Sequence, residues 1–447
     1  MMTHIPRSQP PRPFNFPHFQ TFKLSNGLEV WYARHSKLPL ISARLVLFNA
    51  ALEEPAGKEG IASFTADMLD EGAGPYDAAA FSMKLENSGI HFHPHADFDA
   101  AHISLNTLTE FAGQAFTLLK DAVSAPRFAL EDVERVRALR VAHIMQQADQ
   151  AEYIAWRFLT GSLYNGHRYA LSAMGRLTHN QALKQSDLVA YHRRIYQPSH
   201  AILVVVGDPE DDRIRDILEE TLGQWPNHTT RLFESTPFTK QPPQRLFIHK
   251  PGAQQTEILL GHYGIDRLDK DYLPTLLANQ VLGGYFLSRL NMNLREDKGY
   301  TYGIESRFNV RRLPGPFYIS ASVQTDKTEQ ALFEIEKEIR GLLEKPVTEE
   351  ELEQARGYLN GVFPIAFESG AQIASGLSNI ALFKLPDDYY RTFRASLARV
   401  TPEQVHRAAR THIRPEDLHV VVVGDQKSMS AAFLKTFDKI ETDARLV

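Results

Sequence analysis

Residues 203–208 read LVVVGD, and residues 420–425 read VVVVGD. Each run follows a proline at the same distance, Pro198 nine residues before Gly207 and Pro415 nine residues before Gly424. The two glycines are 217 residues apart in a chain of 447. Self-similarity at a fixed offset of about half the length points to one domain used twice rather than to a solenoid.

The segments on either side support that reading. In the first half FKLSNGLEVWYARHS (22–36) reads as two strands about the turn Ser25-Asn26-Gly27, and LISARLVLFNAAL (40–52) as a buried strand. GIASFTADMLDEG (60–72) and AAAFSMKLENSG (78–89) read as short helices closed by Gly72 and Gly89. IHFHPHADFDAAHISLNTL (90–108) alternates apolar and polar residues as half-buried strands do. Helical patterns follow over 110–124, 130–160 and 186–196, before the first valine run.

The second half repeats the order. RLFIHKP (245–251) and TEILLGHYG (256–264) read as strands, KDYLPTLLANQVLGG (270–284) as a helix capped by Gly283-Gly284, and GPFYISASVQT (315–325) as a strand. Two helices over 327–345 and 348–363 and the second valine run complete the set. The Pro-rich polar stretch STPFTKQPPQ (235–244) has the composition of a linker. The expected fold is therefore α+β, with two homologous domains at 1–234 and 245–447. Each is expected to hold an antiparallel sheet with helices packed on one face.

Composition narrows the function. Hydrophobic residues make up 43% and charged residues 23% of the chain, which suits a soluble globular protein. A formal net charge of −5 speaks against nucleic acid as a partner. No apolar run reaches the roughly 20 residues of a membrane span. The absence of cysteine rules out disulfides and thiolate metal sites. The N-terminal stretch lacks the apolar core of a secretory signal, so a cytoplasmic location is expected, or a periplasmic one where a signal segment has been removed.

One stretch is specific. VLGGYFLSRLNMNLREDKGYTYGIES (281–306) resembles the second-half signature of the pitrilysin/insulinase zinc metallopeptidases, and the likeness extends from LSNGLEV to the final VVVVGD. The resemblance implies two related α+β domains forming one half of a clamshell. It also implies H-x-x-E-H on a first-half helix, where histidines at i and i+4 grip one zinc and the glutamate activates a zinc-bound water. Here the matching residues are SFTAD: Ser63 stands for the first histidine, Ala66 for the glutamate and Asp67 for the second histidine. His143 falls at or beside the place of the third ligand, a glutamate. A hydroxyl is a poor zinc ligand and an alanine takes no proton, so no zinc is expected on this chain.

The resemblance also implies an arginine and a tyrosine seven residues apart that hold the scissile carbonyl, and Arg295 and Tyr302 have that spacing. Such donors stabilise a developing oxyanion. The plainer alternative is a surface arginine paired with Glu296 or Asp297 and a packed tyrosine. Lost zinc residues beside a kept Arg/Tyr pair are similar to what heterodimeric members of the family show. The expected partner is a homologous chain with intact H-x-x-E-H carrying the zinc, and the expected ligand is a peptide.

The strand HFHPHADFD sets His91, His93, His95, Asp97 and Asp99 on one face and Phe92, Pro94, Ala96 and Phe98 on the other. In the family the matching strand pairs with extended substrate, which makes Phe92, His93 and His95 substrate-side candidates. Pro94, without an N–H, suits an edge and weakens that pairing. Two further readings stand beside the peptidase subunit. One is an inert structural or peptide-binding protein of this fold, like the core subunits of respiratory complexes. The other is a metalloenzyme using the His91/His93/His95 cluster. The doubled valine run lacks a phosphate-loop pattern, the basic run HRRIY (192–196) reads as a solvated helix face, and the helix carrying His143 reads as structural.

Overall fold

The computed structural model describes residues 13–228 and 238–442. Among the described residues, twelve strands fall into two six-stranded sheets. The first holds β1 (Gln20–Lys23), β2 (Glu29–Arg34), β3 (Leu40–Phe48), β4 (His91–Ala96), β5 (Ala100–Leu108) and β6 (Ala201–Gly207), in the order β1-β2-β6-β3-β5-β4. The second holds β7 (Arg245–His249), β8 (Gln255–Tyr263), β9 (Thr301–Phe308), β10 (Pro316–Gln324), β11 (His419–Gly424) and β12 (Lys439–Glu441), in the order β12-β7-β11-β8-β10-β9. The valine runs are β6 and β11, each inserted between the first and second long strands of its own half. The duplication is thus a duplication of topology.

Each sheet is mixed, not wholly antiparallel. β6 runs parallel to β2 and antiparallel to β3, and β11 runs parallel to β7 and antiparallel to β8. The late strand returns beside the first one in the same direction, after a long helical crossover. The conserved topology also explains the terminal glycines. A Cβ on Gly207 would lie 3.1 Å from Leu40 O, and one on Gly424 would lie 2.7 Å from Thr256 Oγ1, so the neighbouring strand leaves no room for a side chain.

Consecutive valines bury side chains on both faces of a sheet, and both faces are covered. Leu203 and Val205 join the core beneath the helices of the first half, whereas Val204 and Val206 pack with Ile373, Leu377 and Ile380 of the helix Gly370–Phe383, from the second half. The exchange is reciprocal. Val420 and Val422 join the core of the second half, whereas Val421 and Val423 pack with Ile154 and Leu159 of the helix Ala151–Leu163, from the first half. Helices on one face alone are therefore only half of the arrangement: each half lends one helix to the other's open sheet face.

Three local expectations change. The helical stretch 130–160 is two helices, Leu130–Ala148 and Ala151–Leu163, and the break frees the second to cross to the other sheet. The run HRRIY is largely inside. His192 Nε2 meets Val123 O at 3.1 Å, Arg194 donates to Glu53 at 2.9 Å, and Ile195 and Tyr196 are buried. The linker lies partly outside the described residues, which resume at Phe238; that ring packs against Tyr164 and Tyr263. The proposed end of the first domain at 234 also lies outside them.

Candidate functional site

The helix Ile61–Asp67 carries the degenerate motif, with Ser63 and Asp67 one turn apart on one face. Between them lies the guanidinium of Arg140, from the helix Leu130–Ala148, and its side chain is 4% exposed. Arg140 Nη2 donates to Ser63 Oγ at 2.9 Å, Nη1 donates to the Asp67 carboxylate, and Nε donates to Asn180 Oδ1 at 2.9 Å. Further contacts at 3.3 Å reach Gly60 O and Met174 O. A monovalent organic cation thus joins the two positions that two histidines would use to hold zinc.

The donor set does not fit a zinc ion. Ser63 Oγ is also bonded to Gly60 O and Ala173 O, both at 3.1 Å, and Ala66 is buried without a proton acceptor. His143 sits on an exposed face of the long helix. Burial raises the Asp67 carboxyl above its ordinary range despite the pull of Arg140, and burial lowers Arg140 in turn. Asp70, just beyond the helix, is pushed up to about 6 by burial and by Glu71. Arg140 was missed in sequence, where the helix read as structural. Its signal was a cation one turn before the ligand position in RVAHIMQ, facing a motif that had lost its metal.

β4 lies at the sheet edge beside this helix, as expected of a substrate-pairing strand. The Asp97 N–H bonds to Ala100 O at 2.9 Å, so odd residues of β4 face β5 and even residues turn their backbone groups outward. Pro94 occupies the middle outward position and removes its donor at no cost to the ladder. The three side-chain candidates separate. Phe92 packs into the core against Phe81, with ring centroids 6.0 Å apart. His95 is half-buried and stacked between His93 and His102 at 5.6 and 4.9 Å, and burial with those neighbours lowers it to about 4. Only His93 and His91 are exposed. The three histidines do not converge on a common point. Among the described residues, the grouping with ligand atoms in metal range is Asp269, Asp271 and His412, elsewhere in the chain. Asp99 leaves the histidine face altogether: it accepts from Tyr169 Oη at 2.6 Å and from the Arg312 N–H at 2.9 Å, tying the two halves.

In the second half, Arg295 lies on the π-helical turn Asn291–Asp297, where the Lys298 N–H reaches back five residues to Asn293 O at 3.1 Å. Gly299, at φ +63°, turns the chain into β9, and Tyr302 follows at the start of that edge strand. Arg295 lies over the Phe286 ring at 4.4 Å and 3.5 Å from Glu296. The Glu296 contact is the surface pairing that the plainer alternative anticipates. The packed tyrosine is not seen: Tyr302 is 89% exposed. Phe286 and Leu287, in the loop after Gly283-Gly284, are half exposed, giving this end of the domain an uncovered apolar surface.

Known proteins share this frame. Residues 182–359 match the family described as Peptidase M16 inactive domain. The chain carries an M16 inactive domain. The crystal structure of the peptidase M16 inactive domain from Pseudomonas fluorescens superposes with a TM-score of 0.86 and 27% identity over 92% of this chain and 98% of that one. A Helicobacter pylori protein named non-peptidase homolog YmxG is 23% identical over 89% of this chain and 92% of its own. The periplasmic protease PqqL of Escherichia coli shares the fold at 15% identity with a TM-score of 0.77, covering 96% of this chain but 50% of that one. The signature at 281–306 lies inside the M16 inactive-domain span, and the family recognised from it stands.

Proposed function

We propose that the chain is the zinc-free subunit of a two-chain M16 peptidase and supplies Arg295 and Tyr302 to a peptide held against a homologous partner. That partner carries intact H-x-x-E-H, and so the zinc and the general base. The observation that carries this reading is Tyr302, a large side chain on an edge strand left 89% exposed seven residues after Arg295, whose guanidinium lies over the half-exposed ring of Phe286. Exposed apolar surface of this kind suits the wall of a peptide-binding chamber. PqqL supports it by size: this fold spans 50% of that protease's chain, which leaves room there for a second unit of like length.

The second reading, an inert member of the fold, draws on Arg140 and on the H. pylori relative's name. Cleavage of a quenched fluorescent peptide library by the H-x-x-E-H homologue, with and without this chain, separates the two. On the first reading activity appears on mixing and falls ~100-fold or more with Arg295→Ala or Tyr302→Phe. Because Tyr302 makes no buried contact, its substitution leaves stability within about 0.5 kcal/mol. Equal activity with and without the chain establishes the inert reading.

A further inference from the structure

Tyr302 stands where the strand ladder is interrupted. β9 pairs with β10 through Thr301 opposite Val323 and Ile304 opposite Ala321, and the register shifts between them, so Tyr302 and Gly303 fall in the irregularity. Such breaks re-aim a side chain and loosen the pairing around it. On its other side β9 is the last strand of the sheet. The Asn309 N–H bonds to Pro316 O at 2.8 Å, so odd residues of β9 face β10, and Ile304 and Ser306 turn their backbone groups outward.

Two buried asparagine side chains take those outward groups. Asn279, the last residue of the helix Tyr272–Asn279, donates through Nδ2 to Ser306 O at 3.0 Å. Asn291 donates through Nδ2 to Ile304 O at 2.7 Å, and its Oδ1 accepts the Ile304 N–H at 3.4 Å. The two differ in what else they tie. Asn291 opens the turn Asn291–Asp297 that carries Arg295, and its Nδ2 also reaches Ser288 Oγ at 3.2 Å and Tyr285 O at 3.3 Å. Tyr285 is followed by Phe286, whose ring lies under the Arg295 guanidinium. One amide therefore joins the turn of Arg295, the loop of Phe286 and the strand two residues beyond Tyr302.

We infer that Asn291 is a positioning residue for Arg295 and Tyr302. It fixes guanidinium and phenol relative to one another by locking turn, loop and interrupted strand together, and it acts through that pair, not by touching peptide. The inference rests on the reading of Arg295 and Tyr302 as the groups that meet the substrate carbonyl. Asn279 supplies the matched control, because it makes the same kind of bond to the same strand but is not part of the Arg295 turn.

Asn291→Ala and Asn279→Ala each remove one buried donor to a β9 carbonyl, so both are expected to lower the melting temperature by similar amounts. Hydrogen–deuterium exchange is expected to separate them. In Asn291→Ala, residues 285–297 and 300–305 exchange about tenfold faster or more, since a local opening that loses one such bond is that much easier. In Asn279→Ala these segments exchange as in the wild type. In the mixing assay with the H-x-x-E-H homologue, run below both melting transitions, Asn291→Ala is expected to lower kcat about tenfold or more with a smaller effect on KM, as misplaced reacting groups do. Asn279→Ala is expected to keep a kcat close to that of the wild type. Asn291→Ser repeats both measurements should the alanine variant fail to fold. Equal kcat losses in the two variants, or unchanged exchange at 300–305 in Asn291→Ala, overturn the inference. A wild-type chain that adds no activity on mixing defeats the reading of Arg295 and Tyr302 instead, and the exchange measurement then still decides whether Asn291 holds their two segments together.

Discussion

Arg140 and Asp67, 73 residues apart in sequence, meet between two helices at one of the positions that a histidine of H-x-x-E-H would occupy. The guanidinium satisfies Ser63, Asp67 and Asn180 at once, so it replaces the cross-linking role of a metal as well as its charge. Removing one partner of a buried pair leaves the other uncompensated. Arg140→Ala is therefore expected to lower unfolding free energy by about 3–5 kcal/mol in denaturant titration. The same geometry predicts that writing H-x-x-E-H back by Ser63→His, Ala66→Glu and Asp67→His does not restore zinc while Arg140 remains. Metal analysis of the triple variant, with and without Arg140→Ala, is the check, and stoichiometric zinc in the triple variant alone would refute it.

The exchanged helices make the two halves one folding unit. Leu377 and Leu159 are fully buried against β6 and β11 of the opposite halves. Leu377→Ala and Leu159→Ala are each expected to cost about 2–5 kcal/mol. Calorimetry is expected to show both variants lowering one shared transition. Two transitions, only one of which moves in each variant, would mean independent domains.

This interlocking was only half legible in the sequence. The repeat of Gly207 and Gly424 revealed two domains, because a fixed offset survives whatever each domain packs against. The alternation in HFHPHADFD also revealed an edge strand correctly, since Pro94 has few other places to stand. The runs at 203–206 and 420–423 identify the late strand of each half, yet nothing local says that a helix covers its second face, or which one does. That helix comes from the other half, and long-range exchange leaves no periodic mark. Arg140 escaped for a related reason. An arginine in RVRALRVAH looks like any solvated helical cation until the fold closes Ser63, Asp67 and Asn180 around it.

Acid is expected to destabilise the fold through His262. His262 is fully buried, and its tautomer is set by two bonds: Nδ1 donates to Tyr263 O at 2.7 Å, while Nε2 accepts the Arg414 N–H at 3.1 Å. A proton on Nε2 breaks the second bond, and burial lowers the group to about 3. An unfolded histidine titrates near 6.5, so between about 6.5 and 3 the unfolded chain binds the extra proton and stability falls as pH falls. The contribution at pH 5 is on the order of 2 kcal/mol relative to pH 7. His262→Gln is expected to flatten the fall of melting temperature between pH 7 and pH 5. An unchanged slope would assign the acid sensitivity to other groups, such as the buried His192.

On the proposed reading, in which a peptide lies against this chain, Pro94 limits how far the first half can pair with it. On β4 the outward backbone groups belong to Phe92, Pro94 and Ala96, and the middle one has only its carbonyl. An extended peptide laid along this edge therefore loses one hydrogen bond of the ladder it would otherwise form. A backbone hydrogen bond contributes about 0.5–1.5 kcal/mol net, which is roughly 2–10-fold in affinity. Pro94→Ala supplies the missing donor without touching the ladder to β5, since that face is carried by His91, His93 and His95. Fluorescence anisotropy with an extended, unstructured peptide is expected to show that gain, and a peptide whose N-methyl groups keep it from lying along the edge is expected to show none. Equal binding by wild type and variant would mean that peptide reaches the chain only through the second half, at Arg295 and Tyr302.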